Sequence, residues 1–220
     1  MACSPRVRVA VFTSLCLVGV ALLIAAVCSY VQATRDEALN LQPLSLPVSL
    51  VPGTIRTPEF KTDIEYWDHV IAIDFEEKTG SSPKIECNLG LADSHQPYCQ
   101  GMPNLIDISW KLFEGERTAA EGNSGSSPAW VSGSTVERTL GRFGAQNGHR
   151  YNLVLDVKRD ASELDVANPK VVVQIPRGYW EDHAMGIGFG KLFAGLSGVV
   201  GVTILAGTFA FRRLKRCDQR

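Results

Sequence analysis

The sequence predicts an all-β antiparallel sandwich, of immunoglobulin-like or jelly-roll type, flanked by two transmembrane α-helices. Three observations carry this. An uncharged apolar run lies near each end of the 220-residue chain. The middle alternates apolar and polar residues at period two, the mark of half-buried strands. Between the alternating segments stand clusters of Gly, Pro, Ser and Asn, which break strands and build turns.

Residues 1–8 form a short tail containing Arg6 and Arg8, and residues 9–31 contain no charged side chain. A bilayer core needs about 20 helical residues, so 9–31 is long enough to span it as a first transmembrane helix. Cytosolic flanks are enriched in Arg and Lys, which places the N-terminus inside. A cleaved signal peptide competes, with Val31-Gln32-Ala33 as its processing site, but the apolar run exceeds the ~7–15 residues of a signal core. Lipidation at Cys28 is disfavoured by the bulky Val27 before it.

Residues 32–62 read as a linker with Pro43, Pro47, Pro52 and Pro58, leading into a first strand near 46–51. Residues 63–178 then form the sandwich. Trp67, His69, Ile71, Ile73 and Phe75 share one face, as do Ile85, Cys87, Leu89 and Leu91. Further sets are Ile106, Ile108, Trp110 and Leu112, then Tyr151, Leu153, Leu155 and Val157, then Val171, Val173 and Ile175. Weaker strands are expected at 129–132 and 134–140. Asn147-Gly148 is a turn signal, a short helical turn is expected near Asp160–Leu164, and the polar stretch 114–128 reads as a mobile loop.

Residues 179–191 form a juxtamembrane segment, with Tyr179 and Trp180 suited to the interfacial belt and Lys191 able to snorkel. The second transmembrane helix covers 192–211. A basic tail, 212–220, follows with Arg212, Arg213, Lys215 and Arg216, and fixes the C-terminus in the cytosol. Within the second helix Ala194, Gly198 and Gly201 line one face, beside Ser197. Small residues let helices approach closely in lipid, so this face is expected to pack on the first helix through Gly19 or Ala21, or on a second copy. The bland alternative is that Gly is simply common in membrane helices.

Of six cysteines, Cys87 and Cys99 alone fall in the central domain. An even pair in an oxidising compartment predicts a disulfide between them.

Residues 35–182 hold 14 Lys and Arg against 22 Asp and Glu, a net charge of −8. Such a surface excludes nucleic acid as a partner, since phosphate binding needs clustered cations. His69, His95, His149 and His183 are too scattered for a metal motif, and no phosphate loop, nucleophile elbow or calcium loop occurs. The carboxylates from Glu59 to Glu77 read as a solvated face. No catalytic residue, cofactor or metal site is therefore expected. Trp67 and Trp110 read as core, while Trp130, beside the Gly/Ser loop, is the candidate contact for a ligand or partner.

These features suggest a non-enzymatic binding, scaffolding or accessory subunit of a membrane complex. Its expected partners are the lipid bilayer and another membrane protein or a second copy of itself. The alternatives are a receptor-like module for an envelope ligand such as a glycan and, last, an enzyme built from scattered residues. The central domain lacks an Asn-x-Ser/Thr sequon, which points to a bacterial inner membrane and a periplasmic domain, with an ER or plasma-membrane protein as the alternative.

Overall fold

A computed structural model of the chain describes residues 5–64, 66–76, 87–89, 104–126, 129–132 and 135–217, with backbone alone for 5–11, 66–67, 126, 129–132, 177 and 213–217. The chain divides into a β unit, Asn40–Arg177, and a helical unit made of Met1–Leu39 with Gly178–Arg220.

The β unit contains β1 (Leu44–Pro47), β2 (Gly53–Arg56), β3 (Phe60–Lys61), β4 (Tyr66–Glu76), β5 (Ile108–Glu114), β6 (Arg117–Asn123), β7 (Ala129–Ser132), β8 (Thr135–Ala145), β9 (Arg150–Val157) and β10 (Lys170–Gln174). They form two antiparallel sheets. The first has the order β1-β10-β4-β8-β7; the second has β2-β9-β5-β6, with β3 also pairing β9. The pairings nest: β1 with β10, β2 with β9, β4 with β8 and β5 with β6. Early strands thus find late ones, and the innermost pair is joined by a tight turn at Gly115, whose φ of 60° suits glycine. Gly148, at φ 82°, turns β8 into β9.

Alternation decides which faces are buried. Ile71, Ile73 and Phe75 on β4, Val171 and Val173 on β10, and Leu140 on β8 share one core with Trp110 and Leu112 on β5 and Leu153 and Leu155 on β9. Each such side chain stabilises the domain by about 1.5–3 kcal/mol relative to exposure. His69 is buried with them, its ring 5.5 Å from Phe143. Trp110 reaches across the layers: its indole Nε1 donates to the Leu140 carbonyl at 2.9 Å. A six-residue 3-10 turn, Ser162–Ala167, precedes β10, and Asp165 within it accepts from the Leu50 amide at 2.9 Å and the Ser49 hydroxyl at 2.6 Å. That carboxylate ties down the connection between β1 and β2.

Several expectations shift. The stretch 114–128 holds β6 and a 3-10 turn at Ser124–Ser126; β6 is an edge strand whose small and polar residues carry no apolar alternation. The first strand begins at Leu44. Within 85–91, Cys87 and Leu89 are buried, but residues 87–88 are helical, 89 is a turn, and 85, 86, 90 and 91 lie outside the described residues. The Asn88 carbonyl accepts the Leu105 amide at 2.9 Å. Cys87 is disulfide-bonded, and its partner is not among the described residues.

In the helical unit, α1 runs from Pro5 to Glu37 and α2 from Arg177 to Cys217. Both exceed their apolar runs. Residues 32–37 continue α1, where Gln32 Nε2 donates to Asp36 Oδ1 at 2.8 Å, and 179–191 is helical and continuous with 192–211. By length and composition, Phe12–Glu37 and Gly178–Arg212 can each cross a membrane.

Candidate functional site

Two features stand out: a seam between the helices and an open face on the second sheet.

The seam is built from small residues at seven-residue intervals. Gly19, Ala26 and Ala33 on α1 are buried, as are Ala194, Gly201 and Thr208 on α2, with Ser197 beside them. A period of seven keeps one face of a helix turned toward its neighbour. A methyl group built on Gly201 would lie 3.0 Å from the Gly19 carbonyl oxygen, and one on Gly19 would lie 2.8 Å from Leu205 Cγ. Opposite Gly198 stands Ala26 and opposite Gly190 stands Ala33, at 3.8 Å and 3.2 Å from the respective built Cβ atoms. Ala21 is exposed. Leu23 and Leu205 pack into the seam against Gly201 and Gly19, while many other large apolar side chains point the other way: Leu17 is 65 % exposed, Val27 63 %, and Phe189 and Val199 68 % each.

Polar ties close the pair at both ends. Lys191 Nζ meets Glu37 Oε2 at 2.7 Å, and His183 Nε2 donates to the Asp36 carbonyl at 3.0 Å. At the far end the Arg212 guanidinium lies 5.2 Å from the centre of the Phe12 ring.

On the second sheet, the residues that point away from the core follow from strand register. Thr54, Asp156, Ser109 and Asn123 lie side by side across β2, β9, β5 and β6. The next row is Arg56, Val154, Lys111 and Glu121, and beyond it Phe113 stands opposite Asn152. The first row, with Val154, Lys111 and Glu121 of the second and Lys158 beside them, lines an open cleft of about 660 Å³. Lys111 pairs with Glu121 at 3.3 Å and Lys158 with Asp156. The cations and anions of the cleft therefore neutralise one another locally.

Elsewhere the polar groups serve the fold. Arg138 is buried, donates from Nη2 to the Ser124 carbonyl at 2.7 Å, and has its pKa lowered by burial. Ser124 Oγ bridges β5, donating to the Ile106 carbonyl and accepting from the Ile108 amide, both at 3.0 Å. On the outer side of the first sheet, Gln174 Nε2 donates to the buried Glu137 at 2.7 Å. His149 Nδ1 lies 2.5 Å from Glu114 Oε1, half-exposed. Among the described residues, no three His, Cys, Asp or Glu side chains gather as a metal site.

Of the residues singled out in the sequence, Ala194, Gly198 and Gly201 lie on one helix face, along the seam. Trp130 is on the edge strand β7, opposite Glu137, and its side chain is outside the described set. Cys99 also lies outside it. The rows of the second sheet were missed, because they emerge only when four strands come into register.

No family model matches the chain, and no curated protein does. A crystal structure of a protein from Sulfurospirillum deleyianum resembles it at 10 % identity and a TM-score of 0.42, over 60 % of this chain and 96 % of that one. That likeness is too distant to bear on fold or function.

Proposed function

We propose that this chain is a twice-spanning membrane protein whose extracytoplasmic β-domain serves as a non-enzymatic binding, scaffolding or accessory subunit of a membrane complex. The observation that carries the reading is the inverted packing of the helix pair. Water drives large apolar side chains inward; in lipid that drive is absent, and small residues pack inward while large ones face the acyl chains. The Gly/Ala/Ser seam with outward Leu, Val and Phe follows the second pattern.

Both termini are assigned to the cytosol, on Arg6 and Arg8 at one end and Arg212 to Arg216 at the other. The packing of α1 on α2 favours a retained first helix, because cleavage after Ala33 would strip the seam of its partner. We assign the domain to the periplasmic side of a bacterial inner membrane, with Cys87 paired to Cys99, on the missing sequon and the oxidising compartment this topology implies. For the β unit, the nested pairing β1–β10, β2–β9, β4–β8 and β5–β6 supports the jelly-roll over the immunoglobulin-like alternative, since a jelly roll is a long strand pair rolled into two Greek keys.

Purification of the full chain in mild detergent tests the accessory role. A membrane protein recovered in fixed stoichiometry is the expected result; a chain that purifies alone and monodisperse from its native membrane counts against it. The cleft on the second sheet favours a companion reading, recognition of a glycan.

A further inference from the structure

We infer that the outward face of the second sheet binds an uncharged, extended oligosaccharide; the inference rests on the binding-protein reading above and names its ligand class. The row Thr54, Asp156, Ser109, Asn123 crosses four strands. At ~4.8 Å between neighbouring strands it spans ~14 Å, room for a few linked sugar rings laid across the strands. The spacing of the row is close to the advance of one pyranose unit along an extended chain, so successive rings meet successive side chains.

The chemistry of the row fits vicinal hydroxyls. A serine or threonine hydroxyl donates and accepts, an asparagine amide does both, and a carboxylate accepts two donors at once. Adjacent sugar hydroxyls present the same mixture. All four residues of the row line the cleft of about 660 Å³, with the longer Lys111 and Glu121 beside them. Val154, which also lines the cleft, supplies apolar contact for the C–H faces of the rings.

Other occupants fit less well. A polyanion needs a cluster of unopposed cations, whereas Lys111 and Lys158 are each paired to a carboxylate within the face. An extended peptide is captured chiefly through backbone bonds at a free sheet edge; this face presents side chains. The edge itself, β6, carries a register shift at Ala119 that disrupts regular pairing.

The test uses the full-length protein in a detergent without a sugar headgroup. Calorimetric titration is run with the neutral hexasaccharides cellohexaose, chitohexaose and maltohexaose, and with heparin and an unstructured peptide as controls. Saturable binding of at least one neutral hexasaccharide is expected. Asp156→Ala and Asn123→Ala should each weaken it by about fivefold or more, the loss of one or two hydrogen bonds, with thermal melting unchanged from wild type. No saturable binding across the three sugars overturns the inference. So does binding that both substitutions leave intact, or a preference for heparin or peptide. The same variants should still co-purify with any membrane partner. Failure of sugar binding with co-purification preserved sinks the ligand assignment alone, and loss of the partner in wild type sinks the accessory reading.

Discussion

A methyl group on Gly141 would lie 2.2 Å from Cζ2 of Trp110. The indole therefore occupies the space that any other residue at 141 needs. It is held there by its bond to the neighbouring Leu140 carbonyl and also lies over Gly122, where a built Cβ falls 2.8 Å from the same atom. Trp110 is 4 % exposed and joins the two sheets. Gly141→Ala should destabilise the domain by about 1–3 kcal/mol, the usual range for overpacking. Trp110→Phe removes both the clash and the donor to Leu140, so Gly141→Ala should cost less in that background. Urea unfolding of the four combinations measures the coupling; strict additivity contradicts the packing described.

Much of this core was legible in the sequence. β4, β5, β9 and β10 announce themselves by strict alternation, and His69, Trp110 and Tyr151 are buried where period two puts them. Legibility ends where structure depends on a partner strand. β6 reads as loop because Arg117, Thr118, Ala119 and Ala120 have no apolar period; it becomes a strand through pairing with β5. Gly122 and Gly141 carry no local sign that one tryptophan requires both. Arg138 alternates into the interior as a charge, and only the Ser124 carbonyl across the sandwich explains it. For the candidate site, each side chain was visible in the sequence but their alignment in rows was not.

Asp160 offers a test by pH. Its carboxylate accepts the Ser162 amide at 3.0 Å, and that bond, then a side-chain bond to Ser162, lowers its pKa below the ordinary aspartate value. The charged form is favoured in the folded state. The stabilisation is therefore complete above the unfolded aspartate pKa of about 3.9 and is lost as pH falls through the lower folded value. An NMR titration of the Asp160 carboxyl carbon should show a midpoint below that of an unstructured aspartate. Ser162→Pro, which removes the amide donor, should move the midpoint upward.

The orientation of the chain is a separate expectation. A reporter active only in the cytosol should work when fused after Arg220 or before Met1, and be silent when inserted at the β5–β6 turn around Gly115. Activity at Gly115 would overturn the assignment of the β-domain to the outer side, whatever its fold.

The helix seam makes the sharpest demand. Gly198 faces Ala26 with a built Cβ-to-Cβ separation of 3.8 Å, inside the ~3.5–4.5 Å range of disulfides. Cysteines at 26 and 198, in a chain whose Cys16 and Cys28 are replaced by serine, should cross-link on mild oxidation in native membranes. A protease site in the β-domain makes the link visible as two fragments that separate only on reduction. Gly201→Ile should abolish the link, because its side chain would enter the Gly19 carbonyl and Leu23, which lie 3.0 Å and 3.1 Å from the first added carbon. Gly195→Ile should leave it intact, since nothing lies within 4 Å of a methyl built there. Both substitutions add the same apolar side chain to the same helix, so helix propensity and insertion into lipid change alike and only the seam differs. Equal cross-linking in the two variants would show that the small residues are incidental, and the membrane reading would lose the observation that carries it.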